Sequence, residues 1–83
     1  MDEPHWEHGK RCHGYWLGLT RWGFVGLAPR GQGGVKANGY GWEFMPNGIV
    51  RNDPLPEHRG RTTTLRAAKR VVELCYRQFL QQS

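Results

Sequence analysis

The sequence has few cysteines, no long apolar run and no signal-peptide pattern. Its two cysteines, Cys12 and Cys75, are too few for a disulfide framework, and Cys75 suits a small core position. Without a long apolar run, the chain has no candidate helix that could span a bilayer. We therefore expect a cytoplasmic protein with no membrane contact.

Acidic residues are also scarce, seven against twelve lysines and arginines, and they are unevenly distributed. None occurs between residues 8 and 42, and Glu73 is the only one between Arg59 and Arg77, a stretch with six basic residues. Two basic regions and a formal net charge of +5 favour an anionic partner, DNA or RNA. The alternative is a charge that serves solubility alone.

Catalytic and cofactor motifs are missing as well. No nucleophile, base and orienting group occur at a useful spacing, and the neighbours Cys12 and His13 rarely give catalytic geometry. The glycine-rich segment Gly31–Lys36 lacks both the Gly-Lys-Ser/Thr ending of a phosphate loop and the dinucleotide fingerprint. We therefore expect a non-enzymatic protein without a cofactor.

Four potential zinc ligands lie close together near the start of the chain, namely His5, His8, Cys12 and His13. Imidazole and thiolate are good zinc ligands. The spacing matches no established zinc pattern, however, and no second ligand pair follows. We therefore do not expect a metal site.

A helix is the clearest element of the sequence, over Thr62–Gln82. Apolar residues at intervals of three and four form one face of this helix: Leu65, Ala68, Val72, Cys75 and Phe79. Val71, Leu74 and Leu80 widen the face. Thr62–Thr64 offer an N-cap hydroxyl. A basic stripe around Glu73 follows the same spacing, with Arg66, Lys69, Arg70 and Arg77.

Alternating side chains predict strands in the central part of the chain. Tyr40–Met45 has three aromatic residues at period two, and Pro46–Gly48 then forms a tight turn into a return strand, Ile49–Arg51. An earlier pair consists of Tyr15–Leu19 and a strand that ends at Ala28, with the turn at Thr20–Gly23. Over Trp22–Ala28, one face would carry Trp22, Phe24, Gly26 and Ala28, and the other Val25 and Leu27.

These elements predict an α+β fold in which one C-terminal helix packs on a small antiparallel sheet of three or four strands. Residues 15–83 would form this single domain, with loops at Arg30–Gly39 and Asn52–Arg61. Residues 1–14 are polar and lack periodicity, so we expect a flexible arm there. A single helix covers one face of a sheet, which leaves the other face to solvent, to a partner or to a homodimer contact.

Aromatic and basic residues alternate along the predicted sheet, as they do in many nucleic-acid-binding proteins. Tyr40, Trp42 and Phe44 suit the core beneath the helix, whereas Trp16 and Trp22 are expected to be partly exposed. The predicted binding residues combine these two tryptophans with basic residues from both basic regions: Trp16, Arg21, Trp22, Arg30, Lys36, Arg51, Arg66, Lys69, Arg70 and Arg77.

The pattern WEFMPNGIVRNDP…GRTTTLRAAKRVVE, over residues 40 to 75, resembles small phage- or prophage-encoded domains. In these domains a Trp-containing hairpin is followed by a short loop, a Thr and an Ala/Lys-rich helix. A sheet followed by one helix is also similar to plant-type and integrase-arm DNA-binding domains, whose sheet enters the major groove. The resemblance implies either DNA or RNA binding or, as in anti-CRISPR proteins, inhibition of a host protein or nucleoprotein complex in a bacterial cell.

Two hypotheses follow. The first is a basic nucleic-acid-binding module whose arginines and lysines contact phosphates while Trp16 or Trp22 stacks on bases. The second is an inhibitor that binds a host protein or nucleoprotein complex, because tryptophan and arginine are also enriched at protein interfaces.

Overall fold

The computed structural model describes residues 3–9, 12–27 and 39–82, which form a five-stranded antiparallel sheet with one long helix on one face. The strands follow each other across the sheet in chain order. The elements are β1 (His5–His8), β2 (Cys12–Leu17), β3 (Thr20–Leu27), β4 (Tyr40–Phe44), β5 (Arg59–Thr62) and α1 (Leu65–Gln82), with short 3-10 turns at Pro46–Gly48 and Pro56–His58. The predicted α+β fold is confirmed, with more strands than expected.

The helix α1 begins where the cap was predicted. The Thr64 hydroxyl oxygen accepts a hydrogen bond from the backbone N–H of Ala67 at 3.1 Å, which satisfies one of the free N–H groups of the first turn. Its apolar face packs on the sheet through buried Ala68, Val72 and Tyr76, with Leu65, Cys75 and Phe79 packed beside them. Leu74 and Leu80 are exposed, so the apolar face is narrower than predicted. Neither α1 nor the short helical turns in the described residues have the length and apolar character of a membrane span.

A bulge in β3 reverses part of the predicted side-chain pattern. Arg21 lies opposite Trp16, but the next pair joins Gly23 to Tyr15, which leaves Trp22 as an extra residue. Trp22 therefore turns toward the helix and is only 7% exposed, with its ring 5.1 Å from that of Tyr76. The predictions that Trp22 is partly exposed and shares a face with Phe24 are wrong, because simple alternation does not allow for the bulge.

The first predicted turn is displaced, whereas the second is observed at Pro46–Gly48 but leads to no return strand. The β2–β3 turn consists of Gly18 and Leu19, and Gly18 has the positive φ of 61° that the turn needs. At Pro46–Gly48, Asn47 and Gly48 do take positive φ values. The chain then continues without a return strand, because this turn folds back against the start of β3, where a Cβ on Gly48 would lie 2.6 Å from Thr20 Cγ2. The partner of β4 is β5.

Part of the segment that was expected to be an arm lies in the sheet. β1 pairs with β2 from His5 opposite Trp16 to His8 opposite His13. Trp6 packs against Tyr15 with ring centroids 4.7 Å apart, and its indole N–H donates to the Glu73 carboxylate at 2.8 Å. A single apolar side chain therefore ties this edge strand to the helix, which the polar composition of residues 1–14 did not indicate.

Candidate nucleic-acid interface

The sheet has one face covered by α1 and one open face. Side chains alternate along each strand, so the residues between the buried ones lie on the open face. The cross-strand pairs assign the following residues to it: His5, Glu7, Cys12, Gly14, Trp16, Arg21, Phe24, Gly26, Gly41, Glu43, Arg59 and Arg61. The helix packs on β3, β4 and β5 from the other side. Among the described residues, the two 3-10 turns border the open face, with Pro56 beside the strands β3–β5 and Asn47 and Gly48 near Trp16 and Arg21.

A shallow trough of about 670 Å³ crosses the open face between β3 and β5, and we refer to it as the glycine trough. Its floor includes the backbone of Gly26 and Gly41, which lie opposite each other, and Phe24, Glu43, Arg59 and Arg61 stand around it. A Cβ on Gly41 would find no atom closer than 4.0 Å, the distance to the Gly60 carbonyl oxygen. The absence of side chains here leaves room for a flat group to approach the backbone.

Two aromatic rings lie on the open face, Phe24 in the lining of the trough and Trp16 nearer the β2–β3 turn. Phe24 is half-buried, and the guanidinium carbon of Arg21 lies 5.5 Å from its ring centroid. Trp16 lies over Gly14, where any Cβ would collide with the indole nitrogen. Gly14 therefore makes room for the Trp16 indole, which adds a second aromatic ring to this face.

Among the described residues, positive charge on the open face comes from three arginines. Arg21 is half-buried beside Phe24, whereas Arg59 and Arg61 are exposed on the edge strand β5. Two carboxylates share this face. Glu7 is bonded to the His5 ring nitrogen Nε2 at 2.7 Å, whereas Glu43 makes no hydrogen bond or ion pair to any residue that the structure describes.

Arg59 and Arg61 are not among the predicted binding residues, because the sequence of Asn52–Arg61 predicts a loop. The sequence Arg-Gly-Arg-Thr has no alternation of apolar and polar residues that would indicate a strand. The signal that was available is the spacing of the two arginines, which places them on the same side of any strand.

The predicted binding residues are divided among several locations. Trp16 and Arg21 lie on the open face, Trp22 is in the core, and Arg51 is exposed in the segment after β4. The helix holds a second group, with Arg66, Arg70 and Arg77 exposed and Lys69 half-buried. The Lys69 ammonium lies 5.3 Å from the Trp6 ring centroid, so it already has a partner within the domain. Arg30 and Lys36 lie outside the described residues.

Two histidines stack across the edge of the sheet. The rings of His8 and His13 lie 4.5 Å apart, centroid to centroid. Among residues 3–9, 12–27 and 39–82, no three His, Cys, Asp or Glu side chains are grouped as a metal site. Their proximity bears on the protonation of His13.

We expect the free energy of unfolding to decrease as the pH falls below 6.5. Desolvation lowers the pKa of His13 from its ordinary 6.5, and the positive charges of Lys69 and His8 lower it further. The unfolded chain thus takes up this proton at a higher pH than the folded chain, so acidification favours unfolding until the folded-state pKa is passed. Urea unfolding at about pH 7.5 and about pH 5.5 measures the loss. His13→Gln should reduce this difference; an unchanged difference would assign the titration to another group.

The chain matches no protein-family model, and it has no significant match among curated proteins or solved structures.

Proposed function

We propose that this chain is a non-enzymatic module that binds single-stranded nucleic acid on the open face of its sheet. The observation that carries the proposal is the juxtaposition of Phe24, the glycine trough and the arginine pair of β5 on an uncovered surface. A flat aromatic ring beside bare backbone suits a nucleobase, and flanking guanidinium groups suit phosphates.

Single strands fit this surface better than a duplex does. Base stacking on a protein ring requires an unstacked base, and duplexes keep the faces of their bases covered. The rings of Phe24 and Trp16 lie on the sheet surface itself, and the trough between the strands is shallow. A single-stranded nucleic acid that crosses β3, β4 and β5 can place a base in the trough while its phosphates run along Arg59 and Arg61.

The arginines of β5 have the geometry for phosphate contacts. Arg59 and Arg61 alternate with Gly60 and Thr62 along the edge strand, so both project on the open face, opposite Glu43 and Gly41. Both are exposed, and neither is ion-paired within the part of the chain that the structure describes. The net charge of +5 adds a general attraction for polyanions, which salt screens.

The proposal predicts that Arg59→Ala combined with Arg61→Ala weakens single-strand binding by at least about tenfold and flattens its salt dependence. Losing two phosphate contacts should reduce the slope of log K against log salt by about 1.4 for a single strand. Fluorescence anisotropy with labelled single-stranded DNA, single-stranded RNA and duplex DNA, at low and near-physiological salt, measures both quantities.

The matched control for this experiment is Arg66→Ala combined with Arg70→Ala. It removes the same charge from exposed positions on the helix. We expect the control to retain most of the affinity. Equal losses in the two variants would mean that the charge acts without a site, and a larger loss in the control would place the interface on the helix.

An exposed apolar cluster supports the second candidate, a protein that binds and inhibits a host protein or nucleoprotein complex. Leu19 is 98% exposed and Val50 71% exposed, and both line a depression next to Trp16. Exposed apolar groups of this kind mark protein interfaces. If the wild-type protein binds no oligonucleotide but forms a stoichiometric protein complex that survives nuclease treatment, the second candidate replaces the first.

A further inference from the structure

We propose that Glu43 makes the open face selective for cytosine and adenine over uracil and thymine, by accepting a hydrogen bond from the exocyclic amino group of the base. The inference rests on the proposed function, since it concerns the base that occupies the glycine trough. It assigns Glu43 as a specificity-determining residue within an otherwise basic surface.

Glu43 occupies the right position for such contact. Within one row across the sheet, it lies directly opposite Phe24 on one side and Arg59 on the other. Side chains in directly opposite positions have Cβ atoms about 4.5–5.5 Å apart. A base that stacks on Phe24 therefore presents its edge to the Glu43 carboxylate, while its phosphate remains within reach of β5.

The Glu43 carboxylate is available for a ligand. Within the described residues it has no hydrogen bond and no ion pair, even though Arg59 lies opposite it in the register. Two other carboxylates that contact the sheet are engaged, since Glu7 bonds to His5 at 2.7 Å and Glu73 accepts from the Trp6 indole at 2.8 Å. A lone carboxylate between arginines weakens attraction for phosphate, which is the opposite of what a purely non-specific surface needs.

The chemistry of the carboxylate defines which bases it can accept. An ionised carboxylate has only acceptor atoms. The amino groups of cytosine and adenine are donors, whereas thymine and uracil present a carbonyl oxygen at the corresponding position. Where the 4-position faces Glu43, uracil would place a carbonyl oxygen against the carboxylate and could donate only through its neighbouring N3–H, so cytosine and adenine are favoured.

Oligo(dC) and oligo(dU) of equal length test the inference, because cytosine carries an amino group where uracil carries a carbonyl oxygen, and the adjacent N3 is an acceptor in cytosine and a donor in uracil. By anisotropy, we expect the wild-type protein to prefer oligo(dC) by roughly tenfold, a typical effect for one well-placed base contact. Glu43→Gln supplies an amide that both donates and accepts, so the preference should fall to about twofold or less. Affinity for oligo(dU) should rise in this variant, because a repelling charge is removed.

Glu7→Gln is the matched control, since it makes the same charge change on the same face but on the far side of Phe24. It should keep the wild-type preference. Binding without a preference for oligo(dC), or a preference unchanged in Glu43→Gln, overturns the inference and leaves the proposed function standing. If neither oligonucleotide binds, the proposed function fails and the inference fails with it. Circular dichroism of each variant confirms that it is folded.

Discussion

An alanine at position 23 is expected to lower the free energy of unfolding by about 3 kcal/mol, at the upper end of the usual cost of overpacking. Gly23 lies opposite Phe44 on the face that the helix covers. A Cβ there would lie 2.6 Å from Val72 Cγ1 and 2.9 Å from the Glu43 carbonyl oxygen. Val72 is fully buried, and the carbonyl belongs to β4, so neither atom can move freely. Urea unfolding followed by circular dichroism measures the loss.

Gly41→Ala is the matched control for this prediction. It makes the same substitution inside a paired strand, but on the open face, where the nearest atom to the new Cβ is 4.0 Å away. We expect a change of less than about 1 kcal/mol, in the stabilising direction, because alanine restricts the unfolded chain. Equal destabilisation by both variants would show that the strands need glycine for their backbone conformation, and would contradict the argument from close helix packing.

A double variant separates the two contacts at Gly23. Val72→Ala alone leaves a cavity and destabilises the fold. In combination with Gly23→Ala, the new methyl group takes up part of the vacated space, so the two losses should sum to more than the measured loss of the double variant. The destabilisation that Gly23→Ala still causes in the Val72→Ala background measures the contact with the Glu43 carbonyl oxygen. Strict additivity would exclude Val72 as the obstructing group.

The helix and the fold class were predictable because their information is local. The repeat of Leu65, Ala68 and Val72 identifies the packed face of α1, and the threonines before it include the observed cap. A helix of this amphipathic character needs a sheet to cover it, and Tyr40–Phe44 is identifiable by its alternation.

An uncovered face was predictable from the single helix, but its composition was not, because that composition depends on pairing between distant residues. The bulge at Trp22 determines which residues of β3 are exposed, and it becomes visible only in the register with β2. The edge strands carry little apolar pattern of their own, since β1 has Trp6 as its single large apolar residue and β5 has none. Strands that depend on their neighbours for stability leave only faint periodicity in the sequence.

The same reasoning explains why the predicted basic sites were incomplete. The number of charged residues along the sequence identifies basic segments, but it does not show which of their side chains share a surface in the fold. Arg66 and Arg70 lie on the helix, whereas Arg59 and Arg61, a few residues earlier, lie on the open face. The location of a binding surface on this chain therefore follows from strand register and not from charge density.

Replacing Gly41 with valine is expected to weaken single-strand binding by roughly 5- to 150-fold, which corresponds to the contribution of one stacked base. The valine side chain would stand on the floor of the glycine trough, between Gly26 and Arg61, where the base is proposed to lie. Stability should be retained, because a β-branched residue suits a strand and the added Cβ has space. Anisotropy and urea unfolding on the same samples measure binding and stability separately.

Thr63→Val is the control for this variant, since Thr63 is exposed in the link between β5 and α1 and lies away from the trough. It should bind single strands as the wild-type protein does. A folded Gly41→Val variant with unchanged affinity would show that bases do not enter the trough. If the paired substitution of Arg59 and Arg61 still abolished binding in that case, the nucleic acid would contact the domain through phosphates alone, and base selectivity at Glu43 would be excluded at the same time.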